Sequence, residues 1–176
     1  MQISLLTNLS NLMELMTKFK PEMNECAITT WTKMRRLDLA FTSPDGDERD
    51  DVNDILPMNM ENMNKLESLR LSNYQKVTLP DCISQFQSLR TLDLTGCRQL
   101  RALPACEIAG GGFPMLKELR FYYLDKLESM VASSVESSKE TMAKLQDINI
   151  SYCGSLKRLG TKKLRSLKKL ELKRVT

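Results

Sequence analysis

The feature that most constrains the fold is the spacing of apolar residues in one stretch, residues 89–104, which reads L-R-T-L-D-L-T-G-C-R-Q-L-R-A-L-P. Its apolar residues are separated by three, two, three, three and three positions, at Leu89, Leu92, Leu94, Cys97, Leu100 and Leu103. An amphipathic helix would mix spacings of three and four, and a long strand would keep a spacing of two. The pattern therefore predicts a short strand around Leu92 and Leu94, followed by a chain that turns every three residues.

The same spacing recurs along the chain and predicts its fold class. The paired apolar residues that predict a strand begin at Leu37, Leu69, Leu92, Leu119, Ile148 and Leu170. These onsets lie 32, 23, 27, 29 and 22 residues apart, so the segments between the strands vary in length. Such recurrence is typical of leucine-rich repeats, in which neighbouring repeats cover one another's apolar edges. We predict an α/β fold: a leucine-rich-repeat solenoid (horseshoe) with irregular repeats of about 22–32 residues and a parallel β-sheet on its concave face.

The repeats also predict the domain organisation. Residues 31–176 are expected to form a leucine-rich-repeat domain of about six repeats, truncated at the C-terminus, and residues 1–30 a partial or degenerate first repeat and connector. Within 1–30, the leucines at positions 6, 9, 12 and 15 step by three, whereas Leu5, Leu9, Leu12 and Met16 would equally fit one face of a helix. Three segments are expected to be insertions outside the strands: the acidic stretch 43–54, the glycine-containing stretch 105–112 and the serine-rich stretch 131–141.

Composition excludes several function classes. The sequence contains no run of about 18 apolar residues, so it predicts no membrane span. It contains no histidine, the commonest participant in acid–base chemistry, and we expect no enzyme, catalytic residue, cofactor or metal site. Cys97 and Cys153 share one repeat position and no C-x-x-C motif is present. Buried thiols in a reducing compartment are expected, which favours a cytoplasmic or nucleo-cytoplasmic location.

The residues between the paired apolar positions are predicted to point away from the core, because side chains alternate along a strand. The candidate ligand-binding residues are those of the row so formed, together with Tyr122 from the next outward row: Asp38, Arg70, Asp93, Arg120, Tyr122, Asn149 and Glu171. Arg120 and Tyr122 combine two residue types favoured at interface hot spots. The competing interpretation is that neighbouring Asp and Arg side chains only neutralise each other, as exposed ion pairs do.

The C-terminal end is strongly basic. Residues 157–176 contain nine Lys or Arg and one Glu, a net charge of +8, so the remaining residues carry −4 of the total of +4. Such asymmetry predicts contact with a polyanion, through Lys162, Lys163, Lys168 and Lys169. No aromatic residue lies among these charges, so stacking on single-stranded nucleic acid is not expected. A solvated basic face is the alternative.

The repeat Leu92-x-Leu94-x-x-Cys97-x-x-Leu100-x-x-Leu103-Pro104 resembles the leucine-rich-repeat region of plant intracellular immune receptors, the coiled-coil, nucleotide-binding, leucine-rich-repeat class. The phrase T-N-L-S-N-L at residues 7–12 is similar as well, and the resemblance covers about residues 31–176. It implies a defence role, with a protein ligand (a pathogen effector or a guarded host protein) and restraint of the receptor's own nucleotide-binding domain.

The sequence departs from that class in three ways. It has no P-loop motif and no coiled-coil region, and the absence of histidine excludes the class's Met-His-Asp motif. The resemblance therefore implies a fragment or a truncated gene product. Two other hypotheses remain: a substrate-recognition leucine-rich-repeat module of an F-box-type ubiquitin-ligase adaptor, and an anionic-surface binder acting through the basic end.

Overall fold

Each predicted pair of apolar residues lies in a short β-strand. The computed structural model of the chain describes residues 14–19, 32–41, 56, 60–104, 112–131, 142–159 and 164–175. The strands are β1 (Glu14–Phe19), β2 (Arg36–Phe41), β3 (Ser68–Ser72), β4 (Thr91–Thr95), β5 (Ala102–Leu103), β6 (Glu118–Tyr122), β7 (Ser129–Val131), β8 (Asp147–Ser151) and β9 (Lys169–Lys173). The described helices are short: a 3₁₀ turn at Met60–Asn62 and α1 at Cys82–Gln85.

Seven strands form one parallel sheet in the order β1-β2-β3-β4-β6-β8-β9. The predicted onset residues are exact cross-strand partners: Leu37 faces Leu69, Leu69 faces Leu92, and the match continues through Leu119 and Ile148 to Leu170. The prediction of six parallel strands at these positions is therefore confirmed. A mostly parallel sheet with little helix fits a leucine-rich-repeat fold.

The core lies on one side of this sheet. Along β2, β3 and β6, buried residues alternate with more exposed ones, as the period of two requires. The inward positions of β3 and β4 are completely buried, at Leu69, Leu71, Leu92 and Leu94. Each such leucine contributes roughly 1.5–3 kcal/mol to folding. Cys97 and Cys153 are also fully buried, as predicted from their shared repeat position.

A second, two-stranded parallel sheet joins β5 and β7, and Ser129 forms a further parallel bridge with Arg158. It arises where the chain turns in steps of three after each long strand. Main-chain bonds connect successive turns: the Glu128 amide donates to the Arg101 carbonyl at 2.9 Å, and the Lys157 amide to the Glu128 carbonyl at 3.0 Å. The spacing of apolar residues did not predict this sheet.

Strand β9 departs from the predicted burial of the paired apolar positions. Leu170 and Leu172 are 42% and 45% exposed. They are in register with Ile148 and Ile150 of β8, and β9 is the last strand in the order of the sheet. Their apolar side chains are therefore covered from one side only.

Several predictions concern residues outside the described ranges. They include nearly all of the insertions 43–54, 105–112 and 131–141, and most of residues 1–30. Strand β1 pairs in parallel with β2 over its full length and places Met16 in a strand. The domain division at residue 30 stays a prediction. In the described part of the chain, no helix is long and apolar enough to cross a membrane.

Candidate protein-binding face

The outward side chains of the seven-stranded sheet form a surface that we call the polar face, made of the first, third and fifth residues of β3, β4, β6, β8 and β9 and their partners in β2. Its central row consists of cross-strand partners in the predicted order: Asp38, Arg70, Asp93, Arg120, Asn149 and Glu171. Tyr122 lies beside Thr95 on one neighbouring strand and Ser151 on the other, as expected. All seven candidate ligand-binding residues thus share one surface.

One half of the central row is neutralised internally. The Arg70 guanidinium donates to Asp93 Oδ2 from Nε at 3.2 Å and from Nη2 at 3.1 Å, and to Asp38 Oδ2 from Nη1 at 3.4 Å. The Asp93 side chain is only 8% exposed and also accepts a bond from Thr95 Oγ1 at 3.2 Å. The Asp93 carboxylate raises the pKa of Arg70, with a smaller contribution from Asp38. This cluster stabilises the sheet across three strands.

The other half is more open. Arg120 pairs with Glu118 of its own strand at 2.9 Å, and their side chains are 44% and 39% exposed. Neutralisation between neighbouring strands is therefore seen for Asp38, Arg70 and Asp93. Arg120 instead pairs with a residue of its own strand. Tyr122, two residues further along, is half-buried. An exposed pair of this kind contributes about 0–1 kcal/mol, so little stability depends on Arg120.

Beyond Arg120, the face continues as a mixed polar surface. Asn149 Nδ2 donates to Glu171 Oε2 at 2.9 Å, and Lys169 pairs with Glu171 Oε1 at 2.9 Å. The hydrogen bond from Lys169 lowers the pKa of the Glu171 carboxyl, and the same bond raises the pKa of Lys169. Together with Tyr122, these residues offer hydrogen-bond donors, hydrogen-bond acceptors and one aromatic ring. These are groups that bind a polypeptide surface.

Sequence reasoning missed a second row of residues, which we call the edge row: Asn73, Gly96, Tyr123, Tyr152 and Arg174. Each immediately follows a strand and has a left-handed backbone, with φ between 50° and 66°. The amides of the first four donate to carbonyls of the next strand, at Thr95, Tyr122, Ser151 and Lys173, over 2.8–3.1 Å. These main-chain hydrogen bonds form a ladder that connects the repeats. Many leucine-rich repeats have an asparagine ladder at the neighbouring position, and this sequence lacks that asparagine ladder.

The side chains of the edge row interact on the surface. The rings of Tyr123 and Tyr152 stack with centroids 4.6 Å apart and planes 14° apart. The Arg174 guanidinium lies 5.2 Å from the centroid of the Tyr152 ring. An aromatic pair contributes about 0.5–1.5 kcal/mol and an exposed cation–π contact about 0.5–1 kcal/mol. Only Asn73 and Gly96 carried a sequence signal, since both residue types favour left-handed backbone.

The predicted polyanion contact is only partly described. Lys168 and Lys169 are exposed, and Lys169 pairs with Glu171. Lys162 and Lys163 lie outside the described residues. Among the residues that the structure places, no group of three or more His, Cys, Asp or Glu is arranged to hold a metal ion.

The comparison with known families agrees with the leucine-rich-repeat pattern of the sequence. A family model described as R13L1/DRL21 LRRs matches residues 2–127. The chain belongs to this family. It is a plant resistance-gene-like family of leucine-rich repeats, and such repeats are binding modules rather than catalytic domains. The chain is accordingly a protein-interaction module. No curated protein shows a significant match to the chain.

The family match and the sheet cover different parts of the chain. The match begins before residue 31 and ends at residue 127, whereas β8 and β9 extend the same parallel register to residue 173. The later strands therefore continue the architecture of the matched region. The polar face at Arg120 and Tyr122 lies within the matched residues, and the basic end lies beyond them.

Proposed function

We propose that this chain recognises a protein ligand in plant innate immunity, and that the polar face around Arg120 and Tyr122 is its binding surface. In this proposal the repeats form a curved solenoid with the polar face on the concave side. The observation that carries the proposal is the arrangement of Arg120. Its charge is exposed and, among the described residues, its ion pair is with Glu118 of its own strand, a carboxylate that is similarly exposed. A ligand can therefore engage the guanidinium without breaking a buried contact.

The chemistry of the surface supports this choice of centre. Arg120 supplies directional donors, and Tyr122 supplies contact area at low entropy cost because its side chain is already half-buried. The Asp38–Arg70–Asp93 cluster is less suited to a ligand, since the Asp93 carboxylate is buried and the Arg70 guanidinium already donates to both carboxylates.

Family membership supports the biological role. The proposed ligand is a pathogen effector or a guarded host protein. In a full-length receptor, the same module would also restrain the nucleotide-binding domain of its own chain. Both roles need a broad polar surface that is rigidly held, and the seven-stranded sheet supplies one.

The experiment begins with a partner obtained by co-purification from plant tissue. Its affinity is then measured by calorimetry for the parent chain and for the double variant Arg120→Ala, Tyr122→Ala. Loss of more than about tenfold in affinity is expected, the usual effect of removing a hot-spot residue. The unfolding midpoint should change little, because neither side chain fills the core.

Arg35→Ala is the matched control. Arg35 precedes β2 and pairs with Glu67 at 3.2 Å, with side chains 60% and 42% exposed, so it resembles Arg120 in type and pairing but lies outside the strands. This variant should bind as the parent chain does. If the double variant binds normally while changes in the acidic stretch 45–54 abolish binding, the polar face is not the binding surface.

A further inference from the structure

Strand β9 is the last strand in the order of the seven-stranded sheet, and β8 lies on one side of it. We call the side away from β8 the outer side of β9. Leu170 and Leu172 are 42% and 45% exposed, whereas their partners in β8, Ile148 and Ile150, are buried. A further strand with apolar residues in the same register would cover both leucines.

The main chain before β9 repeats the geometry that joins the preceding strands. At the start of β3, β4, β6, β8 and β9, two consecutive amides donate to one carbonyl, that of the residue just before the preceding strand in the sheet. For β9, the amides of Lys168 and Lys169 donate to the Gln146 carbonyl at 2.8 and 3.0 Å. The equivalent carbonyl for a further strand is that of Lys168, the residue just before β9.

The main chain after β9 repeats that geometry as well. Tyr152, which follows β8, has a left-handed backbone and donates its amide to the Lys173 carbonyl at 2.9 Å. Arg174 follows β9 and has the same left-handed backbone, with φ of 50°. Within the described ranges, no main-chain group bonds to the Arg174 amide or to the Lys168 carbonyl. An acceptor before β9 and a donor after it match the bonds of a further parallel strand.

The outward side chains of β9 determine which charges such a strand should carry. Lys169 and Lys173 lie at the two ends of β9, and both are exposed. Glu171 lies between them and already pairs with Lys169 and accepts a hydrogen bond from Asn149. Acidic residues opposite the two lysines are therefore favoured, and an uncharged polar residue suffices opposite Glu171.

These charges disfavour a second copy of β9 as the occupant. A parallel copy in register would place each lysine opposite itself. An antiparallel copy that overlaps fully would place Lys169 opposite Lys173 and Glu171 opposite Glu171. Like charges directly opposite each other destabilise a strand pair, and lysines on edge strands oppose pairing between copies. The charges thus favour a strand of different sequence.

We propose that the outer side of β9 binds an extended segment of a protein partner as a further parallel strand, with the pattern acidic, apolar, polar, apolar, acidic. The apolar side chains cover Leu170 and Leu172, and the acidic side chains pair with Lys169 and Lys173. The amide of the central residue donates to the Leu170 carbonyl, because main-chain groups of alternate residues point to opposite sides of a strand. The site does not involve the centre of the polar face, so it goes beyond the proposed function and either proposal can fail without the other.

The test uses the full chain, isotope-labelled for NMR, and soluble synthetic peptides with the core E-L-T-L-E. Binding should shift the methyl signals of Leu170 and Leu172 and slow hydrogen exchange of their amides. Peptides with the cores E-S-T-S-E and K-L-T-L-K should bind at least about tenfold more weakly. Equal affinity for E-S-T-S-E would mean that charge alone governs binding, and it would overturn the proposal. Concentration-dependent protection of the same amides without peptide would identify a second copy as the occupant, with the same consequence.

Methylation of single peptide amides tests the main-chain pairing and its direction. A methyl group on the central amide removes the bond to the Leu170 carbonyl and should lower affinity at least about tenfold. The matched control carries the methyl group on the second leucine, whose amide points away from β9 in the parallel arrangement, and it should bind as the parent peptide does. An antiparallel strand would reverse the two effects. Reversed or equal effects both contradict the proposed parallel strand.

Substitution of the two leucines locates the binding on β9. Leu170→Ser together with Leu172→Ser should lower affinity for the E-L-T-L-E peptide at least about tenfold. Because both side chains are exposed, the fold should persist, and the unchanged signals of the other strands check this. Undiminished affinity in this double variant would place the peptide elsewhere on the molecule.

Charge reversal tests the acidic positions independently. Lys169→Glu together with Lys173→Glu should exchange the preference, so that K-L-T-L-K binds more tightly than E-L-T-L-E. The matched control, Lys33→Glu with Lys65→Glu, changes net charge equally at exposed positions in earlier repeats and should keep the parent preference. If the first variant keeps the parent preference, or the control exchanges it, the lysines of β9 do not select the partner and the proposal is wrong.

Discussion

At the scale of single residues, burial separates the charges that hold the sheet together from those that are available to a partner. Asp93 is almost fully buried, so the carboxylate depends on Arg70 and Thr95 for its hydrogen bonds. Arg120 and Glu118 are both well exposed, and water can replace either partner. Two arginines of the same row thus have different roles, although the sequence pattern places them identically.

This difference predicts unequal effects of two alanine substitutions. Arg70→Ala leaves the buried Asp93 carboxylate without its main donor and should lower the free energy of unfolding by about 1–3 kcal/mol. Arg120→Ala removes an exposed pair and should lower it by about 1 kcal/mol or less. Chemical denaturation of both variants measures the difference. Equal effects would mean that Asp93 does not depend on Arg70.

A second residue-scale prediction concerns the reactivity of Cys153. Burial raises the pKa of this thiol, and the nearby Asp125 carboxylate raises it further. Less thiolate forms at a given pH, so iodoacetamide should react more slowly with Cys153 in the folded chain than in denaturant. Stability linked to this thiol is complete below its unfolded pKa and declines as pH rises through the higher folded pKa. Timed alkylation at several pH values with peptide mass spectrometry tests this, and equal rates in both states would contradict it.

At the scale of elements, apolar spacing predicted the long strands because burial dictates which residues of each strand face inward. A shift of one residue would expose the leucines, so register follows from the leucine positions. The β5–β7 sheet could not be predicted in this way, since bonds between main-chain turns leave no apolar pattern. The edge row was missed for a similar reason: Tyr123, Tyr152 and Arg174 adopt a backbone that their residue types do not favour.

The candidate site was predictable as a surface but not as a set of contacts. Alternation and register placed Arg120 beside Asp93 and Asn149, and the structure has this order. The pattern could not decide whether Arg120 would pair across the sheet or along its strand, because Asp93 and Glu118 are both within reach of a long side chain. Because Asp93 already accepts hydrogen bonds from Arg70, Arg120 pairs with Glu118 instead.

Because β9 lies at the end of the sheet, we expect leucines at equivalent strand positions to contribute unequally to stability. Leu94 of β4 and Leu172 of β9 occupy the same position of the strand pattern, but only Leu94 is fully buried. Leu94→Ala should cost about 2–5 kcal/mol of stability, the range for a core cavity. Leu172→Ala should cost about 1 kcal/mol or less, as for an exposed side chain. Similar losses in urea denaturation would show that β9 is covered in solution.

At the scale of the whole molecule, net charge is distributed unevenly along the chain, although its strands repeat one pattern. Residues 157–176 carry +8 and the rest of the chain −4. Among the described residues, Lys168, Lys169, Lys173 and Arg174 lie in or next to β9, the last strand in the order of the sheet. Exposed Lys168 and Lys169 belong to that end, and attraction to a polyanion should act over about one Debye length, roughly 10 Å at 0.1 M salt.

The last prediction follows from the position of this charge rather than its amount. Changing Lys162, Lys163, Lys168 and Lys169 to Glu should abolish retention on heparin at low salt. The control changes Lys33, Lys65, Arg90 and Lys126 to Glu, which alters net charge equally but at exposed positions in earlier repeats. If the position of the charge determines binding, heparin should retain the control variant, which should elute only when salt screens the basic end. Equal loss from both variants would mean that net charge alone governs binding, and retention of the first variant would place the polyanion contact elsewhere on the molecule.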